Sequence, residues 1–292
     1  MVERIDPNSL GALRSTRPTQ ASPSATPAIH RAALACGPAV ASCWVFMPAT
    51  RKPKRHQLEL TMLAQPDDTT CGPTCLQAVY RYWGKKVGLP EVIASVPKLE
   101  TGGTLGVLLG IDALKRGYRV ELITYNLQVF DPTWFTNPDT DLAAKLEAQA
   151  KAKTSQKLRL ACQAYVEFLQ LGGVVRAAVL SGSLIRKQLN RNVPILTGLS
   201  STNLYQASRE YGPEDEDDDV RGSPSGHFVV LSGYDRKLRQ VHIHDPLQAN
   251  PHSPTRRYSI NIDRVINSIL LGVLTYDANL LMIEPPSEAT HA

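Results

Sequence analysis

A chain of 292 residues that is 42% hydrophobic and 20% charged can bury a substantial core, which excludes a disordered or collagen-like molecule. Its formal charge of +5 is concentrated at the N-terminus: residues 1–56 carry eight Lys/Arg against two Asp/Glu, and the remaining 24 against 25 leave a near-neutral body without the basic footprint of a nucleic-acid binder. Five scattered cysteines, an odd number, exclude the disulfide framework of a small secreted domain and read as the reduced thiols of a cytoplasmic protein.

In chain order, residues 1–56 are rich in Ala, Ser, Pro and Arg and keep no helical or strand period, so they read as a disordered basic extension, with a targeting peptide as the functional alternative. Its apolar stretch "AALACGPAVASCWVFMPA" is broken by Gly and two Pro and is too short for a membrane span. A folded domain is expected over 57–287. "QLELTML" alternates like a strand, and "TTCGPTCLQAVYRYWG" places Cys75, Val79, Tyr82 and Trp83 at helical spacing. That helix begins at Cys71, with Thr69 or Thr70 as its cap and Pro73 in the first turn, where no intrahelical hydrogen bond is lost. "LPEVIASV" and "TLGVLLGIDALKRG" follow as helices and "YRVELITY" as a strand. Two mostly polar helices, 139–152 and 155–171, fall inside a helical insertion of about 126–190. "SLIRKQLNRN" is then a helix, "VPILTGL", "GHFVVLSGY", "QVHIHD" and "NLLMIEP" are strands, and "DRVINSILLG" is a short helix before the last of them. Helices first and strands mostly later predict an α+β fold with a largely antiparallel sheet.

The pair in "CGPTC" has one residue too many for a Cys-x-x-Cys redox motif. A thiol in the first turn of a helix instead sits where free N–H groups and the helix dipole favour the nucleophilic thiolate. Cys71 is the candidate nucleophile, and Cys75, one turn on, is expected to pack as a small hydrophobe. A base is sought in "GHFVVLSGYDRKLRQVHIHDP", which reads as a hairpin turning near Arg236 and bringing Asp245 opposite His227 on one face. His242 and His244 would project together from the other face. No third ligand of suitable spacing accompanies them, so neither a metal site nor a cofactor is expected.

"QPDDTTCGPTCLQAVYRYWG", "GHFVVLSGYD" and "VHIHDP" together resemble the bacteriocin-processing cysteine peptidases, peptidase family thirty-nine, and their stand-alone relatives. The resemblance implies a papain-like fold in which Cys71 attacks a peptide carbonyl, His227 carries the proton, Asp245 orients His227 and Gln65 donates to the oxyanion. It implies a peptide or protein substrate. A catalytically silent peptide-binding module of the same fold is the alternative, and four intact residues in the right order argue against it. The chain departs from transporter-fused members in having no transporter span, so the reaction class is carried over and the double-glycine preference is not. It also carries "EYGPEDEDDDVRG" shortly before His227, seven carboxylates within ten positions, expected as a solvated loop near the cleft.

Overall fold

The computed structural model describes residues 54–100 and 102–286, all within the unit Arg51–Ala292. The expected N-terminal extension lies outside the described residues except for its last three positions. In chain order the elements are β1 (Arg55–Gln57), α1 (Cys71–Tyr82), α2 (Leu89–Ser95), α3 (Gly106–Lys115), β2 (Arg119–Thr124), α4 (Leu142–Ala152), α5 (Gln156–Gln170), β3 (Val174–Arg176) and α6 (Gly182–Leu189). There follow β4 (Ile195–Ser200), α7 (Ser201–Tyr205), β5 (Glu210–Tyr211), β6 (Glu216–Asp217), β7 (Gly226–Asp235), β8 (Gln240–His244), β9 (Arg257–Asn261), α8 (Ile262–Leu271) and β10 (Asn279–Glu284). The main sheet runs β3-β2-β10-β4-β7-β8-β9, with β1 on β7 beyond the end of β4. Among the described residues only the β2–β3 pair is parallel, so the fold is α+β with a largely antiparallel sheet.

The central strands read as nearly continuous apolar runs because both faces of the sheet are covered. Phe228, Val230, Leu281 and Ile283 join one core with α1, α3 and α5, while Val229, Leu231, Leu280 and Met282 join a second core with α6 and α8. Burying both faces removes the polar-out alternation that an antiparallel strand otherwise shows. Helix α1 is central: every residue from Cys71 to Tyr80 is buried. Gly72 permits this packing, since a Cβ there would lie 2.8 Å from Thr104 Cγ2 and 3.2 Å from the Phe228 ring.

Three sequence expectations change. "QLELTML" buries Leu58, Leu60 and Met62 alternately, but the strand ends at Gln57 and the segment continues as extended chain, held by Leu58 N–H to Ser232 O at 2.7 Å. The region 126–190 contains a strand as well as helices and is built into the core: β3 pairs with β2, and Leu146, Cys162, Tyr165 and Phe168 are buried. The acidic run is exposed, yet it folds as a β5–β6 hairpin. Asp218 accepts from the N–H groups of Val220 and Arg221, Arg221 stacks 4.1 Å above the Tyr211 ring, and the Arg209 guanidinium bonds the carbonyls of Asp219 and Val220, so local hydrogen bonds and two arginines give the charges an ordered frame. Among the described residues no helix is long and apolar enough to cross a membrane.

Candidate active site

Helix α1 opens with Thr70 at the N-cap position, but no side chain caps it. The Thr70 hydroxyl turns back to Asp67 O at 3.0 Å, and Thr70 O accepts both the N–H and the hydroxyl of Thr74, at 3.1 and 2.8 Å. The first N–H groups of the helix, Cys71 and Gly72, are thus left without a side-chain acceptor at its positive end. Cys71 is buried, with only 8% of its surface exposed. Cys75, one turn on, is fully buried with its sulfur 3.2 Å from Phe228 O, and burial pushes its thiol well up, as expected of a packing residue.

His227 lies at the start of β7, opposite Leu199 of β4. Its Nε2 donates to Asp245 Oδ1 at 2.8 Å. The hairpin that joins them turns later than its sequence suggests: Val230 pairs with His244, and a bulge between Leu231 and Gly233 shifts the register. Asp245 therefore falls beside Val229 rather than opposite His227, a diagonal neighbour on the same face, and the two side chains close the offset. As expected, His242 and His244 alternate away from Asp245. Each is committed to a serine, His242 to Ser259 at 2.7 Å and His244 to Ser232 at 2.8 Å. Among the described residues no group of three His, Cys, Asp or Glu is placed to hold a metal.

Asp245 has no exposed surface and is surrounded by donors. Oδ1 accepts from His227 and from the Leu247 N–H at 3.0 Å; Oδ2 accepts from the Tyr205 hydroxyl at 2.8 Å and the Tyr258 hydroxyl at 2.5 Å. Burial alone would raise its pKa, but the His227 charge and hydrogen bond, with Tyr258 and Leu247, bring it down to about 2. Burial likewise works against a charged His227. The Asp245 carboxylate, then hydrogen bonding and charge from the Cys71 sulfur, outweigh it and raise His227 to about 10. Because Nε2 is taken by Asp245, Nδ1 is the ring nitrogen left for Cys71.

Gln65 is buried, and its backbone N–H donates to Pro246 O at 2.9 Å, which ties it to the residue after Asp245. Its Oε1 is buried without a hydrogen-bond partner. All four predicted residues thus belong to one neighbourhood at the N-terminus of α1. The sequence reading missed Tyr205 and Tyr258. Tyr205 sits on a five-residue helix, and Tyr258 lies in the short, arginine-led strand "RYSIN"; neither offers a motif, and only the two tyrosine types themselves could have drawn attention.

A helix carrying a first-turn cysteine packed on an antiparallel sheet carrying His227 and Asp245 is the papain-like arrangement. The Peptidase_C39 like family model matches residues 57–265, and the chain belongs to that family of cysteine peptidases. No curated protein matches the chain by sequence. Solved structures similar to it include a candidate C39-like peptidase from Bacillus anthracis, 13% identical with a TM-score of 0.44, covering 80% of this chain and 99% of that one. A double-glycine-motif protease from an AMS/PCAT transporter, solved in complex with the leader peptide, is 13% identical with a TM-score of 0.37, covering 79% and 95%. Xylellain, a cysteine protease from Xylella fastidiosa, is 15% identical with a TM-score of 0.38, covering 81% and 87%.

Proposed function

We propose that this protein is an active cysteine peptidase that hydrolyses a peptide bond through Cys71, His227, Asp245 and Gln65. The observation that carries the reading is the 2.8 Å bond from His227 Nε2 to a wholly buried Asp245, with Cys71 coupled to the same ring. The thiolate of Cys71 attacks the scissile carbonyl carbon, and the oxygen that becomes negative is held by the Gln65 amide and the uncapped Cys71 N–H. The C–N bond breaks as imidazolium His227 gives its Nδ1 proton to the leaving amine, leaving a thioester on Cys71. Water then attacks the thioester, His227 takes its proton, and the acid departs as the thiolate returns. Asp245 keeps the ring oriented throughout and favours its charged form each time it takes up the proton. The substrate is a peptide or protein segment, extended enough to enter beside α1. A cytoplasmic setting fits the free thiols of Cys71, Cys75 and Cys162.

The test is labelling with a peptide acyloxymethyl ketone, read by intact mass. Wild type and Cys75→Ala should each take one equivalent, and Cys71→Ala none. Equal labelling of Cys71→Ala, or a wild type that binds peptides but is neither labelled nor able to cleave them, would leave the silent peptide-binding module as the better account.

A further inference from the structure

The Asp245 carboxylate receives two phenols on the oxygen that does not face His227. Tyr205 comes from α7, at the end of β4, and Tyr258 from β9, on the opposite side of β8; their hydroxyls converge on Oδ2 at 2.8 and 2.5 Å. The rings are fixed in turn by His252, whose ring centroid lies 5.8 Å from Tyr205 and 5.0 Å from Tyr258 and whose Nε2 bonds Leu204 O at 3.3 Å. With Leu247 N–H and His227 on Oδ1, all the acceptor directions of the carboxylate are used.

We infer that Tyr205 and Tyr258 form a paired phenol clamp, two positioning residues that hold Asp245 ionised and in the one orientation that directs Oδ1 at His227. The inference rests on the proposed catalytic role of Asp245 and extends it to residues outside the Cys, His, Asp and Gln set. A carboxylate with no solvent exposure cannot borrow water for a vacated lone pair, so removing both donors leaves Oδ2 buried and bare, and the neutral acid becomes favoured. The titratable groups facing Asp245 are His227 from β7, Cys71 and Cys75 from α1, the two tyrosines, and His252 from the loop before β9. Of the groups bonded to Asp245, the tyrosines can be altered without touching the nucleophile or its proton carrier, because Phe keeps each ring and removes only the hydroxyl.

The experiment is carbon NMR of Asp-labelled full-length protein, with the Asp245 carboxyl assigned by Asp245→Asn, in wild type, Tyr205→Phe, Tyr258→Phe and the double variant. Wild-type Asp245 should stay ionised down to about pH 3, and in the double variant it should protonate at least about one unit higher, inside the range where circular dichroism still reports a folded chain. Each single variant should shift it by a smaller amount in the same direction, so the inference is testable even if the double variant folds poorly. A double variant within about 0.3 unit of wild type, or a shift produced entirely by one tyrosine, would overturn the paired clamp. Labelling of Cys71 by the acyloxymethyl ketone separates the two readings: a tyrosine shift without any Cys71 labelling would sink the enzyme and leave the clamp, and labelling without the shift would sink the clamp alone.

Discussion

At the scale of single residues, the site depends on groups with different duties, and substitutions should separate them. Gln65→Ala removes the proposed oxyanion donor and leaves Cys71, His227 and Asp245 in place, so peptide turnover should fall roughly a hundredfold while the rate of iodoacetamide alkylation at Cys71 stays near that of wild type. Parallel loss of both rates would mean that Gln65 supports the thiolate rather than the oxyanion. Gly72→Ala acts through packing. The new methyl would press on Thr104 and on the Phe228 ring, both buried and hemmed in, so chemical denaturation should report a loss of about 1–3 kcal/mol despite the better helix propensity of alanine. Because Phe228 adjoins His227, turnover should drop as well. An unchanged denaturation midpoint would show that α1 can shift away from the sheet at no cost.

At the scale of elements, α4, α5 and β3 explain why residues 126–190 cannot be treated as an appendage. Phe168 of α5 is wholly buried, and the absence of a Cβ at Gly110 and Gly173 lets its ring approach: a Cβ at Gly110 would lie 2.8 Å from it. Lys115 of α3 pairs with Glu167 at 2.8 Å above the same contact, an exposed pair that adds little beside the ring. Phe168→Ala should therefore destabilise the whole domain by about 3–5 kcal/mol, measured by urea unfolding followed through far-ultraviolet circular dichroism. A loss confined to local melting, with the main transition unmoved, would make this region an independent decoration.

At the scale of the whole molecule, the buried His227–Asp245 pair links catalytic geometry to global stability. Asp245 has its folded pKa depressed from 3.8 to about 2, so its contribution is fully present above 3.8 and is lost as pH falls through about 2. His227 has its folded pKa raised from 6.5 to about 10, so its contribution is fully present below 6.5 and is lost as pH rises through about 10. Wild-type thermal stability should accordingly decline from neutral pH into the alkaline range, and His227→Gln should show a flatter decline over that window. Identical alkaline slopes in the two proteins would mean that other groups govern the loss.

Local pattern alone located most of the helices and strands, because each long element repeats its apolar residues at the period that its own backbone requires. It also picked out Cys71, His227 and Asp245 as candidates, since a helix-entry cysteine and a histidine–aspartate hairpin lie in short segments, while Gln65 and the roles proposed for all four came from the family resemblance. It overextended the strand at 57–63, where the alternation is genuine but the ladder stops, and it passed over β9, whose five residues begin at an arginine and bury only Ile260 fully. Tertiary structure decided what depends on chain segments far apart: the bulge that moves Asp245 one register step along, the packing of α5 into the main core, and the meeting of Tyr205 and Tyr258 on one oxygen of Asp245. The two tyrosine contacts alone span 40 and 13 residues of chain, and such geometry is set by how whole elements pack, so that no local period records it.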